Sequence, residues 1–179
     1  MRIVSLAVFC GSKNGNDTVY ARHAEQLGKI MGDHDIAMIY GGGSTGIMGI
    51  VADAVMQHKG KVTGIIPQVL VEWEHQHRGI TQLIVADDMH ERKKKMYELC
   101  DAAIILPGGF GTMDELFEML TWNQLAIHDK KIFILNSGGF FDHLLAHIDR
   151  LEDAGFLYET AKERITILDD PAQLIESVL

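Results

Sequence analysis

The stretch LPGGFGTMDE, residues 106–115, sets three glycines and a threonine just ahead of two carboxylates, where an apolar run gives way to helical spacing. Glycine lets backbone N–H groups come close to an anion, and a helix N-terminus adds unpaired donors and a partial positive charge. A turn built from Gly108, Gly109, Gly111 and Thr112 therefore suits a phosphate, with Asp114 and Glu115 a turn further on. The competing reading is local. Thr112 and Glu115 have the spacing of a capping box, in which the carboxylate reaches back to the backbone and does no chemistry. Thr112 either caps the helix, offers its hydroxyl to a phosphate, or does both in alternate states.

A second cluster, DMHERKKKM at residues 88–96, repeats the capping pattern with Asp88 and Glu91, and Glu91 can pair with Lys95 one turn on. Helical spacing places Arg92 on one face with Met96 and Leu99, toward the core, while Lys94 and Lys95 read as a solvated face and Lys93 falls between. An arginine on an apolar face needs a carboxylate or phosphate partner, and a purely structural ion pair is the plainer alternative. Further glycine-rich turns lie at CGS (10–12, with Gly11 and Ser12) and YGGGSTGIMG (40–49, with Gly43). Gly41, Gly43 and Gly46 satisfy GxGxxG, but the motif follows a second strand, and the next strand ends in GIIPQ with no carboxylate for a ribose hydroxyl. No turn carries the Gly-Lys-Ser/Thr ending of a P-loop. Close strand–helix packing is an equally good account of Gly46 and Gly49. On the helix that follows LPGGFGT, Leu116, Met119, Leu120 and Asn123 make a core stripe, while Thr121 and Trp122 are candidates for a pocket wall.

The elements that must hold these residues alternate along the chain. Strands are predicted at 3–10, 36–40, 62–66, 83–86, 102–106, 131–136 and 165–168, and helices at 17–33, 45–58, 90–100, 112–127, 140–154 and 171–179. Strands that are apolar throughout are covered on both faces, so the pattern predicts an α/β, Rossmann-like, doubly wound and mainly parallel sheet with helices on both faces. Ligands of such sheets bind outside the carboxyl ends of the strands, where all three glycine-rich turns fall. Residues 68–81, which include Glu74, show no pattern and read as an active-site flap. No repeat or linker divides the chain, which predicts one domain over 1–179.

Bulk properties exclude several classes. At 179 residues and 47% hydrophobic composition the chain can bury a full core, and its net charge of −9 argues against a general nucleic-acid surface. No apolar run reaches the ~20 residues that cross a bilayer, so no membrane partner is expected. Two cysteines without ligand spacing favour a reducing, cytoplasmic setting, and nine scattered histidines offer no HExxH pair, so no metal is expected.

Three separated stretches, GGGSTGIMG (41–49), MHERK (89–93) and PGGFGTMDE (107–115), resemble the LONELY GUY family, the cytokinin riboside 5′-monophosphate phosphoribohydrolases. The last fits the family pattern PGGxGTxxE without a mismatch. FCGS (9–12) and TWNQLAIHDK (121–130) are similar too, so the likeness covers nearly the whole chain. The resemblance implies hydrolysis of the N-glycosidic bond of a nucleoside 5′-monophosphate, AMP or an N6-prenylated form, to free base and ribose 5-phosphate. It implies Arg92 and Glu115 as the catalytic pair. Lys93, Gly108, Gly109, Gly111 and Thr112 join the substrate site, together with Gly11, Ser12, Gly43, Met89, Asp114 and Thr121 from the same motifs. Glu74 stands where family members often carry a substrate-contacting carboxylate, although its surroundings, EWEHQHRG, depart from plant members. No cofactor or metal is implied, and a homodimer or larger homo-oligomer is. Related proteins have often been labelled lysine decarboxylases, but no Schiff-base lysine for pyridoxal phosphate can be picked out here. The alternative is a non-catalytic carrier of a nucleotide or of molybdenum cofactor, which needs the glycine turns but has no need of Arg92 together with Glu115.

Overall fold

The computed structural model describes residues 2–71 and 75–178. Seven strands, β1 (Ser5–Phe9), β2 (Ala37–Tyr40), β3 (Val62–Pro67), β4 (Gln82–Ala86), β5 (Ala102–Ile105), β6 (Ile132–Leu135) and β7 (Ile165–Leu168), form one sheet in the order β4-β3-β2-β1-β5-β6-β7. Every neighbouring pair is parallel. Successive residues serve opposite faces: Leu6, Val8, Ile104 and Phe133 enter one core, and Ala7, Phe9, Ile105 and Ile134 the other. Helices α1 (Thr18–Asp33), α2 (Gly46–Gln57) and α6 (Gln173–Val178) cover the first face, and α3 (Met89–Leu99), α4 (Phe110–Gln124) and α5 (Asp142–Asp153) the second. The doubly wound architecture is as the alternation predicts, and the sheet is parallel throughout. Because β1 lies between β2 and β5, the strand order reverses beside it, and a crevice opens at the carboxyl ends of β1 and β5.

Helix ends follow the sequence expectation closely at α1, which stops at Asp33, and depart from it most at α4. α4 stops at Gln124, not Ile127, because Ala126 takes φ +54° while Ile127 N–H donates to Trp122 O and Ala126 N–H to Asn123 O, both at 3.0 Å. This is a Schellman closure. Asp35 and Lys59 end α1 and α2 in the same way with φ of 57° and 62°.

The segment expected as a flap is partly tied down. Ser44 N–H donates to His75 O at 3.0 Å, His77 N–H donates to Gly42 O at 2.9 Å, and Gly43 forms an antiparallel bridge with Gln76. His77 Nδ1 accepts from Gly79 N–H at 3.1 Å, so Nε2 carries the proton it shares with Asp53 Oδ1 at 3.0 Å. Leu70, in the short turn after β3, reaches the crevice. Glu74 lies outside the described residues.

One buried polar pair joins α1 to the turn after β6: His23 Nδ1 lies 2.9 Å from the fully buried Ser137 Oγ. Burial, opposed by Asp170, holds the His23 pKa below its ordinary value, and burial likewise lowers that of His128. The unfolded chain therefore binds these protons more tightly, so stability is full above about pH 6.5 and falls as pH drops below that, through the folded-state values. The melting temperature is expected to decline between pH 7.5 and 5.5. His23→Gln, which keeps a partner for Ser137 but does not titrate, should flatten part of that slope; an unchanged slope would remove His23 from the account.

Candidate functional site

The crevice holds a cleft of about 280 Å³ whose walls come from five carboxyl-end segments, with Leu70 supplied by the turn after β3. Cys10, Gly11 and Ser12 follow β1, Gly41 follows β2, Met89 and Arg92 stand on α3, and Gly109, Phe110, Gly111, Thr112, Asp114 and Glu115 open α4. A second lobe of about 370 Å³ adjoins it through Gly11, Ser12 and Gly109, and is lined by Lys13, Asn14, Gly108 and the edge-to-face pair Tyr20 and Phe140. The first lobe sits at the lower end of the ~300–1,000 Å³ usual for ligand sites.

α4 begins three residues earlier than the capping-box reading requires. Gly109 is the N-cap, Met113 N–H donates to Gly109 O at 3.1 Å, and Thr112 is the third helical residue. Its hydroxyl makes no cap, and the expected box is out of register; Glu115 belongs to the second turn. Thr112 is buried, with Oγ1 where a Cβ on Gly108 would fall, 2.1 Å away, which is why residue 108 has no side chain. By contrast, a Cβ on Gly109 or Gly111 would meet nothing within 4 Å. The first-turn N–H groups, which have no intrahelical acceptor, thus border open space. Glu115 is half-buried on the cleft wall. Its charge, after burial itself, helps to push the Cys10 thiol far above its ordinary pKa, so Cys10 is a neutral wall and not a nucleophile.

Asp88 caps α3 as expected, accepting from Glu91 N–H at 2.8 Å, while Glu91 accepts from Asp87 N–H at 2.6 Å and pairs with Lys95. The cap fixes where the helix starts and thereby where Arg92 points, one turn in. Arg92 is 5% exposed, with Nη2 donating to Gly41 O at 3.2 Å and Nη1 3.7 Å from Met89 Sδ. A Cβ on Gly41 would fall 2.0 Å from Arg92 Nη2, so the first glycine of GGGSTG makes room for the guanidinium. Sequence reasoning missed this role, because GxGxxG suggests ligand contact and nothing local ties Gly41 to a residue 51 positions on.

Comparison with known proteins gives the same grouping. A sequence model of the family described as "Possible lysine decarboxylase" matches residues 48–178. A cytokinin riboside 5′-monophosphate phosphoribohydrolase of Arabidopsis thaliana is 42% identical over 175 residues, 98% of this chain and 82% of that one. A second from the same plant is 40% identical over 173 residues, 97% of this chain and 80% of its own length. The chain belongs to the LONELY GUY family. Solved structures of the molybdenum cofactor binding protein of Rippkaea orientalis (TM-score 0.73, 21% identity, 99% of this chain and 96% of that one) and of a Moco carrier protein from Chlamydomonas reinhardtii (TM-score 0.72, 19% identity, 99% and 96%) share the fold.

In this LONELY GUY chain not every motif residue reaches the cleft. The GGGSTG turn is tied to the 75–77 segment, with Ser44 N–H donating to His75 O and Gly42 O accepting from His77 N–H on either side of the Gly43–Gln76 bridge, and Cβ atoms on Gly46 and Gly49 would strike the backbones of Ser12 and Ser44 at 2.2 Å. Their role is packing. Thr121 donates to Phe117 O at 2.7 Å and lines a separate apolar pocket of about 220 Å³ between α4, α5 and residues 157–164. Lys93 is 8% exposed and lies between Asp114 Oδ2 (3.1 Å) and Glu118 Oε2 (3.0 Å). Burial pulls its pKa down, but the two carboxylates outweigh this and hold it above the ordinary value. A Schiff-base lysine needs the neutral amine, so the buried lysine beside the cleft does not fit pyridoxal phosphate chemistry. The buried side of α3 is Arg92, Lys93, Met96 and Tyr97, and Leu99, expected with Arg92, is 47% exposed.

Proposed function

We propose that this chain hydrolyses the N-glycosidic bond of a purine nucleoside 5′-monophosphate, AMP or an N6-prenylated form, to free base and ribose 5-phosphate, with Arg92 and Glu115 as its catalytic pair. The observation that carries this is that Arg92 and Glu115, 23 positions apart in sequence, line one cleft with the open first turn of α4. The 5′-phosphate binds the N–H groups of that turn, at Gly109, Gly111 and Thr112, where the helix dipole favours an anion. From Gly111 to Glu115 the helix rises roughly 6 Å, at 1.5 Å per residue, which is comparable to the reach from a 5′-phosphate across the ribose to its anomeric carbon. Phosphate capture thereby brings that carbon to the Glu115 carboxylate. As the bond to the base breaks, positive charge develops on the ribose ring; Glu115 stabilises it, or positions and deprotonates the attacking water. Arg92 orients the Glu115 carboxylate or binds phosphate or ribose. Ser12, Gly11, Met89 and Asp114 complete the walls.

The Moco proteins share the fold at low identity, and a carrier has no use for a buried arginine and a carboxylate on one wall. The reading extends to a cytoplasmic homodimer built from one nucleotide-binding domain. Two buried free cysteines support the compartment, and the exposed Leu125 and Ile127 at the end of α4 support association. Among the described residues no helix is long and apolar enough to cross a membrane.

Incubation of the purified chain with AMP and with isopentenyladenosine monophosphate, followed by chromatography, is expected to show free base from at least one. Release from neither would end this reading.

A further inference from the structure

Lys93 and Tyr97 stand one turn apart on α3, and Asp114 and Glu118 one turn apart on α4. The four are joined. Lys93 Nζ bridges the two carboxylates, and Tyr97 Oη donates to Glu118 Oε2 at 2.7 Å, the length of a charge-assisted bond. Tyr97 is 2% exposed, its ring edge-on to Phe9 on the cleft wall (centroids 6.0 Å) and to Trp122 (4.9 Å). With two of its three donors on carboxylates, and its side chain only 10% exposed, Lys93 has little left for a substrate.

Each end of this group adjoins a reactive residue: Arg92 precedes Lys93 and Glu115 follows Asp114. We propose that Tyr97, Glu118 and Lys93 are positioning residues that lock the rotation and register of α3 against α4, and so hold Arg92 and Glu115 at the separation the reaction needs. This rests on the N-glycosidase reading above. Side-chain tips stand ~5–6 Å from a helix axis, so a turn of α4 by roughly 10° moves them about 1 Å. A misplacement of that size costs on the order of a hundredfold in rate. A brace of this kind affects turnover more than binding, because phosphate affinity comes from backbone N–H groups of α4 that move with the helix.

The test uses Tyr97→Phe, which removes one hydroxyl, and Glu118→Gln, which removes one charge. Both are expected to fold and to lower kcat by roughly ten- to a hundredfold with KM within about twofold. In a Glu115→Gln background the same changes are expected to have no further effect, since the residue they position is already disabled. A loss that persists in that background, an unchanged kcat, or a change in KM alone overturns the proposal. Amide exchange of the nucleotide-free chain separates this failure from that of the activity itself. If the unaltered chain releases no base, the N-glycosidase reading falls. The lock is then supported by faster exchange in Glu118→Gln confined to the first turns of α3 and α4, and overturned by uniform or unchanged exchange.

Discussion

Glu115→Gln is expected to release free base at least about a hundredfold more slowly than the unaltered chain, while its melting temperature moves little. The magnitude follows from the charge. A preorganised group aimed at developing charge in a partly dry site accounts for ~10²–10³ in rate, and glutamine keeps the shape and the hydrogen-bonding oxygen but not the charge. The change is nearly isosteric at a half-buried position, and it leaves the cap of α4 untouched, since the N-cap is Gly109 and Thr112 is already inside the helix. Loss should appear in kcat, with KM for the nucleotide much less changed, since the proposed phosphate site is the first turn and not this side chain. The kinetic comparison is with purified variant at saturating nucleotide. Turnover within a fewfold of the parent would show that the carboxylate lines the cleft without taking part.

The strands were legible because doubly covered strands carry no polar alternation; AAII and IFIL are buried at every residue. The position of the cleft was legible for a related reason, since glycine-rich turns at the carboxyl ends of parallel strands converge at the reversal beside β1. What could not be read was set by partners distant in sequence. Lys93 is buried only because Asp114 and Glu118 on another helix neutralise it, and helical spacing alone had turned the face toward Leu99. Thr112 looks like a cap because the sequence does not reveal that Gly109 already serves as one. Ala126 and Lys59 end helices in left-handed geometry, a cost that tertiary packing meets and composition does not signal. GGGSTG drew attention for its glycines as a phosphate cradle. Its Gly42–Ser44 backbone instead holds residues 75–77, and its first glycine serves a side chain.

That first glycine gives the second large effect. Gly41→Ala is expected to lower kcat/KM by about a hundredfold in a protein that still folds. Gly41 does not have a positive φ, so its backbone accepts alanine without strain. An added Cβ would conflict with one neighbour only: it would fall 2.0 Å from Arg92 Nη2 and 3.1 Å from Cζ, while Met48 Sδ, at 3.5 Å, is at ordinary contact distance. The clashing atoms are the far end of a flexible side chain, so the cheapest relief is for the guanidinium to swing away, giving up its bond to Gly41 O. The methyl group thus acts on Arg92 and hardly on the sheet, and a displacement of an ångström or more at a reacting centre is worth about two orders of magnitude. The control is the same change in an Arg92→Ala background, where the Cβ would meet no guanidinium and should cost nothing further. Equal losses in both backgrounds would mean that the methyl group blocks the nucleotide itself. A fallen melting temperature in the single variant would mean that it disturbs the end of β2; either result would separate Gly41 from the placement of Arg92.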